Sequence, residues 1–370
     1  MPAHHVQGTN KEYNRLLSTD WISATPTTLK TFETIQYKSA RLIGTPFTTL
    51  NIHSLHNLHI VEAVYMIHSM QLNLVTILIL SRGRCSLSKC VTHYLVAMAV
   101  ADLLVIITDL ILRQIPIRFP AQFQFMWKIK VCNIHAILLY AATDCSVWFT
   151  VTFTFDRFVA ICGRKLKVKY CTEKTAAVVL GTVSVLFCVK NIFWFFMYGS
   201  EYKFSNNPWF CYVTDYVIYS PVWAIIESFH YILNPFVPFV LILLLNALTV
   251  RHIFVSSRAR RRLRTHSSGE IPSDPEMVKR RKSIILLFVI SGNFILLWAV
   301  FLLDSVSNRL YFLDVIALRL PVFVGELGFM LQLLSCCTNT CIYAVTQTKF
   351  RVELKNAVKY PFTVMVKFIK

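Results

Sequence analysis

Residues 92–112 read T-H-Y-L-V-A-M-A-V-A-D-L-L-V-I-I-T-D-L-I-L, an apolar run broken by two carboxylates, Asp102 and Asp109. A helix of about 20 residues is what it takes to cross the hydrocarbon core of a bilayer. The form must be helical, because lipid offers no partners to an open backbone. Asp102 then stands in mid-membrane, where a carboxylate is costly unless neighbouring helices supply partners.

Six further apolar segments lie on either side of this run. The approximate spans are 60–80, 92–112, 132–160, 174–197, 223–254, 282–304 and 320–345. The first is the weakest, since Glu62, His68 and Gln71 interrupt it. Hydrophobic residues make up 55% of the chain and charged residues only 15%. Soluble globular proteins carry about a quarter charged residues, so the apolar excess must face lipid. After the last span, Phe350, Leu354 and Val358 recur at helical spacing among Lys349, Arg351 and Lys355. That pattern predicts a short amphipathic helix on the membrane surface. The expected fold is an all-α membrane protein, a seven-transmembrane helix bundle followed by this surface helix. Three parts are expected: a tail over 1–58, the bundle over 59–346, and the surface helix with a terminal tail over 347–370. The first tail is polar, has no signal-peptide core and contains no N-x-[ST] sequon.

The formal charge of +19 would fit a nucleic-acid partner or a membrane protein with basic inner loops. With the N-terminus outside, 25 of the 38 Lys and Arg fall in the inner loops and the C-terminal tail. This asymmetry favours an extracellular N-terminus and a cytoplasmic C-terminus, and it accounts for the charge without nucleic acid. The eleven cysteines show no metal-ligand spacing. Most sit inside apolar runs as small hydrophobes, while Cys132 and Cys211 fall outside the apolar centres.

Hydrophobic spans alone would suit a transporter or a channel equally well. Landmark residues narrow the choice. Asn73 stands in the first span, and L-V-A-M-A-V-A-D ends at Asp102 in the second. Cys132 opens the third, and Asp156-Arg157-Phe158 closes it. Trp298 sits in F-I-L-L-W-A-V, and Asn339-Thr340-Cys341-Ile342-Tyr343 precedes Phe350. In this order and spacing the chain resembles the rhodopsin-like (class A) G-protein-coupled receptors over about 60–358. The family usually has D-R-Y, F-x-x-C-W-x-P and N-P-x-x-Y at the last three places. With D-R-F, N-T-x-x-Y and the preceding Ser-Cys-Cys, the chain looks most like an orphan branch. That branch lies near receptors proposed to sense aromatic amino acids or small peptides.

The resemblance implies a multi-pass plasma-membrane receptor whose partners are an extracellular ligand, a heterotrimeric G protein and membrane lipids. It implies a Cys132–Cys211 disulfide, which the oxidising extracellular side would sustain. It places Asn73, Ser146, Ser335 and Asn339 around Asp102, where family members hold an allosteric sodium ion; no other cofactor is expected. Arg157 would pair with Asp156 at rest and meet the G protein when active, a role suited to a permanently charged guanidinium. Phe158 stands in the usual Tyr position. Arg280 and Arg281 occupy the base of the sixth helix, where some members carry an acidic partner for that Arg. An ionic link between helices three and six is therefore not expected, and basal activity is. Trp298 with Phe294 below it, and Asn339 with Tyr343, would form the switch between states. Val300 and Thr340 replace family prolines, which predicts no sharp bend in helix six.

Other intramembrane charges are functional hypotheses by default. Asp144 and Lys190 lie at depths that would let them form a structural ion pair. Glu62, Asp109, Arg113, Asp304 and Glu326 cluster in the outer third of several spans. With Leu139, Thr143 and Trp298 they are candidates for a ligand pocket, Arg113 facing a carboxylate and Glu326 an amine. Leu139 stands where amine receptors place an Asp, and Leu333 where opsins place the retinal lysine, so those ligand classes are not expected. No nucleophile–base or metal constellation points to an enzyme. The alternatives are a seven-helix receptor that does not signal and, less favoured, a transporter or channel, for which no internal repeat is found.

Overall fold

The computed structural model describes residues 70–357 apart from 84, 86, 204–209, 214–216, 218–220, 265–274 and 313–319. The predicted tail over 1–58, Glu62 and Val358 lie outside the described residues, as do the side chains of Arg280, Arg281 and Glu326. Seven apolar helices follow one another: α1 (Met70–Ser81), α2 (Lys89–Ile117), α3 (Cys132–Cys162), α4 (Glu173–Met197), α5 (residues 221–264), α6 (Pro275–Phe312) and α7 (Val322–Thr346). Six of them, α2 to α7, are long and apolar enough to cross a membrane. The described part of α1 is shorter, and the earlier half of the predicted first span is outside the described residues. Residues 348–357 form a further helix, α8.

Local chemistry sets the helix ends. Gly83, at a φ of 69°, turns the chain out of α1 through a left-handed conformation that glycine adopts without a Cβ penalty. Ser88 caps α2 by accepting from the backbone N–H of Val91 at 3.4 Å. Thr172 caps α4 by accepting from Thr175 N–H at 3.2 Å, and Glu173 adds an acidic charge to the first turn. Within α5, Asn234 leaves helical geometry before Pro235, and the chain passes through the wide turn Ile232–Phe236. A proline that removes an N–H from the ladder is an identifiable cause of such a break. In α6, where Val300 stands in place of proline, the helix runs unbroken from Pro275 to Phe312.

The bundle is packed inside and apolar outside. Tyr94, Phe153, Tyr343 and Phe350 are fully buried where α2, α3, α7 and α8 meet. Leu78, Val178, Leu186, Leu296 and Leu303 are each more than half exposed. A contiguous apolar exterior of this kind is what lipid, not water, would cover.

At one end of the bundle, β1 (Tyr198–Tyr202) and β2 (Cys211–Val213) form an antiparallel hairpin, and Cys211 is bonded to Cys132 at the start of α3. The two Cα atoms are 5.6 Å apart and close a separation of 79 residues. Removing a bridge of this kind costs about 2–5 kcal/mol. Cys211→Ser is therefore expected to lower the melting temperature of the solubilised protein and its amount at the cell surface. A melting curve identical to wild type would show that the bridge carries no stability.

Candidate functional site

Three polar clusters interrupt the apolar interior, and each is assembled from several helices. The first surrounds Asp102, which is 1% exposed. Ser146 of α3 donates to its Oδ1 at 2.6 Å, and Asn339 of α7 donates to its Oδ2 at 2.7 Å. Of the four predicted neighbours, these two bond it directly. Asn73 instead donates to the Cys336 carbonyl at 3.0 Å, and Ser335 accepts from the Trp298 indole N–H at 3.0 Å while donating to the Gln332 carbonyl. Thr340, in the place of the family proline, bonds Thr76 of α1 at 2.8 Å. A small cavity lies between Asp102 and Trp298, lined also by Ser146, Thr150, Ser335 and Asn339. Trp298 is 3% exposed and stacks on Phe294 at 5.4 Å between ring centroids.

The second cluster closes the opposite end of α3 from the disulfide. Asp156 is fully buried, and Arg157 is 7% exposed. Arg157 donates to Asp156 Oδ2 through Nε at 2.9 Å and again through Nη2. Cys90 adds a thiol donor to the same carboxylate at 3.3 Å. Nη1 of Arg157 reaches across to Ser283 Oγ of α6 at 3.3 Å. A bridge between helices three and six thus exists in a neutral form, carried by a serine that motif reading passes over. Tyr343 of the Asn339–Tyr343 motif packs edge-on against Phe350 at 5.9 Å. Phe158 is half-buried, with its ring centroid 6.5 Å from that of Phe155.

The third cluster joins α3, α4 and α5. Lys190 Nζ donates to Asp144 Oδ2 at 2.6 Å and approaches His230 Nδ1 at 2.7 Å. Asn191 also donates to Asp144 Oδ2 at 2.6 Å, and Asn234 donates to Oδ1 at 2.6 Å. The carboxylate is completely buried and carries three donors, one of them cationic. Tyr140, Trp194 and Tyr198 stack beside it, with His230 against their edges. Asn191, Asn234 and His230 were missed in sequence. Their signal is faint: His230 and Asn234 are four residues apart, which puts two polar groups on one face of an apolar helix.

The outer charges do not all stay available. Arg113 pairs with Asp109 on its own helix, the i,i+4 arrangement that helical spacing favours. Asp109 is 3% exposed, and the Arg113 guanidinium lies over Phe329 of α7 at 5.6 Å. The carboxylate site assigned to Arg113 from sequence is therefore already filled from within. Asp304 accepts from Asn308 at 3.1 Å, and Thr143 donates to the Leu139 carbonyl at 2.9 Å. Leu139 itself is buried against Cys132, Trp194 and Tyr198.

An arrangement of this kind, with polar groups buried along the bundle axis and an arginine bridging two helices at one end, suits a molecule that changes state. Residues 72–343 match the family described as 7 transmembrane receptor (rhodopsin family).

Proposed function

Because the chain belongs to the rhodopsin family of seven-transmembrane receptors, we propose that it carries an extracellular signal to heterotrimeric G proteins by parting α6 from α3. In this reading the N-terminus and the disulfide end are extracellular, the Asp156–Arg157 end and the C-terminus are cytoplasmic, and α8 lies on the inner membrane surface of the plasma membrane. Lys and Arg counts in the loops support that orientation.

The observation that carries the proposal is the position of Arg157. It is held by Asp156 on its own helix and by Ser283 on α6, so parting the helices breaks one hydrogen bond and leaves the ion pair intact. A ligand drives that step only through a higher affinity for the parted state, and G-protein binding must reciprocally raise ligand affinity. A hydrogen bond to a charged group is worth about 1.5–3 kcal/mol, and at the lower end its loss shifts the balance about tenfold. Ser283→Ala is expected to raise basal nucleotide exchange on the cognate G protein, and Ser283→Asp to suppress it by pairing ionically with Arg157. Equal exchange in all three proteins would overturn the role given to this contact.

The ligand is proposed to be an amino acid or a small peptide, as the resemblance implies. With Arg113 neutralised by Asp109, aromatic surface rather than charge recommends the region around Phe301 and Phe329, whose rings meet at 5.2 Å.

A sodium ion beside Asp102 belongs to the same reading. The residues fit a hard cation: the carboxylate has no cationic partner among the described residues, and Ser146, Thr150 and Ser335 add hydroxyl oxygens around the adjoining cavity. The ion would supply positive charge and so favour the closed bundle. Replacing sodium by N-methylglucamine should lower the melting temperature of the purified receptor, and Asp102→Asn should remove the difference. A sodium response that survives Asp102→Asn would place the ion elsewhere.

A further inference from the structure

The outer half of α6 lies close against α7. A Cβ added at Gly328 would meet the backbone of Phe301, at 2.9 Å from Cα and 3.0 Å from N. A Cβ at Gly325 would come within 3.2 Å of the Asp304 carboxylate. Small residues let helix backbones approach to this degree. Further inward the seam continues through two hydrogen bonds, Trp298 to Ser335 at 3.0 Å and Asn293 to Thr338 at 2.9 Å. On α7, the same stretch is tied onward to α1 by Asn73 and Thr76 and to α2 by Asp102. From Asn293 to Asp304, α6 is therefore fastened to the fixed part of the bundle.

Among the described residues the hydrogen bonds from α6 to α7 reach inward as far as Asn293, and the two residues before it are Ser291 and Gly292. A Cβ at Gly292 would meet nothing within 4 Å, so packing does not require a glycine there. A glycine inside a helix without a packing reason weakens that helix relative to alanine. Ser291 is completely buried, and its hydroxyl has no hydrogen-bond partner among the described residues. A serine hydroxyl in a helix can bond back to the carbonyl four residues earlier, a contact that bends helices. Gly and Ser pairs are among the identifiable sites of helix kinks. Below this point, Ser283 holds α6 to Arg157.

We propose that α6 bends at Ser291–Gly292, between an outer segment clamped to α7 and an inner segment that swings when the Arg157–Ser283 bond opens. The place where the family carries proline is occupied by Val300 and lies inside the clamp. The inference deepens the opening of α6 proposed above, yet it concerns a distance within the receptor and can be measured without a G protein.

The test uses the full-length receptor in lipid nanodiscs, with spin labels attached through an unnatural amino acid. Labels go on lipid-facing positions: Val178 of α4 as reference, Ile285 below the hinge and Leu296 above it, exposed by 67%, 44% and 73%. Ser283→Ala releases the inner segment. Ile285 is seven residues from Gly292, roughly 10 Å of helix, so a bend of about 20° displaces it by about 4 Å. The expected result is that the Val178–Ile285 distance lengthens by that amount while Val178–Leu296 does not change. Adding Gly292→Ala, which clashes with nothing, should reverse most of the lengthening and raise the melting temperature. Equal movement at Ile285 and Leu296 would put the hinge outside the clamp and overturn the proposal. So would movement that survives Gly292→Ala, or an inner segment that stays in place after Ser283→Ala. A receptor that bends as described but activates no G protein would overturn the functional reading and leave the hinge standing.

Discussion

Asp144→Asn is expected to leave little folded receptor, Lys190→Met likewise, and the double substitution to recover much of what either single change loses. The two charges are buried together, with Lys190 Nζ 2.6 Å from Asp144 Oδ2, and the side chains are 15% and 0% exposed. Taking away one partner strands the other charge where neither water nor lipid can solvate it, at a cost of about 3–5 kcal/mol. Taking away both charges removes that cost, because replacing a buried pair with groups of similar volume is often neutral or better. The asparagine left at 144 keeps one acceptor oxygen, enough for one of Asn191 and Asn234, whose amides now bond opposite oxygens of the carboxylate, so the recovery is incomplete. Melting curves of the four proteins form a double-mutant cycle, and the coupling term reports the pair itself. Additive losses would mean that Lys190 is stabilised by His230 and the Phe187 ring, 5.6 Å from its ammonium, rather than by Asp144.

Much of this architecture was legible in the residues alone. Seven apolar runs predict the helices because lipid leaves no other backbone solution, and the observed boundaries extend beyond the predicted ones at most ends. With Val300 in place of the family proline, α6 runs as one helix from Pro275 to Phe312, and Pro235 marks the break in α5. Cys132 and Cys211 were legible through their place in a known pattern, and the bond is present. What the sequence withheld is how each helix is rotated and tilted against its neighbours. Whether Asn73 meets Asp102 or the Cys336 carbonyl depends on such rotations, and one-dimensional spacing does not contain them. The same holds for Ser283 and for Asn293 with Thr338, ordinary polar residues whose importance comes only from the helix opposite. Arg113 is the opposite case. Its i,i+4 spacing from Asp109 already announces an internal partner.

The Asp144–Lys190 cluster holds α3, α4 and α5 together, and its loss acts through folding. The Arg157 end acts through the balance between states, so substitutions at Ser283, which leave the ion pair to Asp156 in place, should leave the amount of folded receptor nearly unchanged. Arg157→Ala removes both the ion pair to Asp156 and the bond to Ser283, together with packing over Phe153 at 5.8 Å. It leaves Asp156 with Cys90 as a remaining donor at 3.3 Å. On the proposed mechanism the guanidinium is also what the G protein meets after α6 has moved, a role suited to a fixed, multi-donor cation. The expected outcome is therefore loss of coupling despite a weaker tie to α6, the reverse of what Ser283→Ala should do.

The central claim is tested most directly by measuring ligand-free activation across the full set of heterotrimeric G-protein classes, for wild type and Arg157→Ala at matched surface expression. A basal signal through at least one class is expected in the wild type, because among the described residues a single hydrogen bond to an uncharged serine joins Arg157 to α6, and that signal is expected to be abolished in Arg157→Ala. Silence of a well-expressed wild type in every class, or a signal that Arg157→Ala leaves untouched, would contradict it.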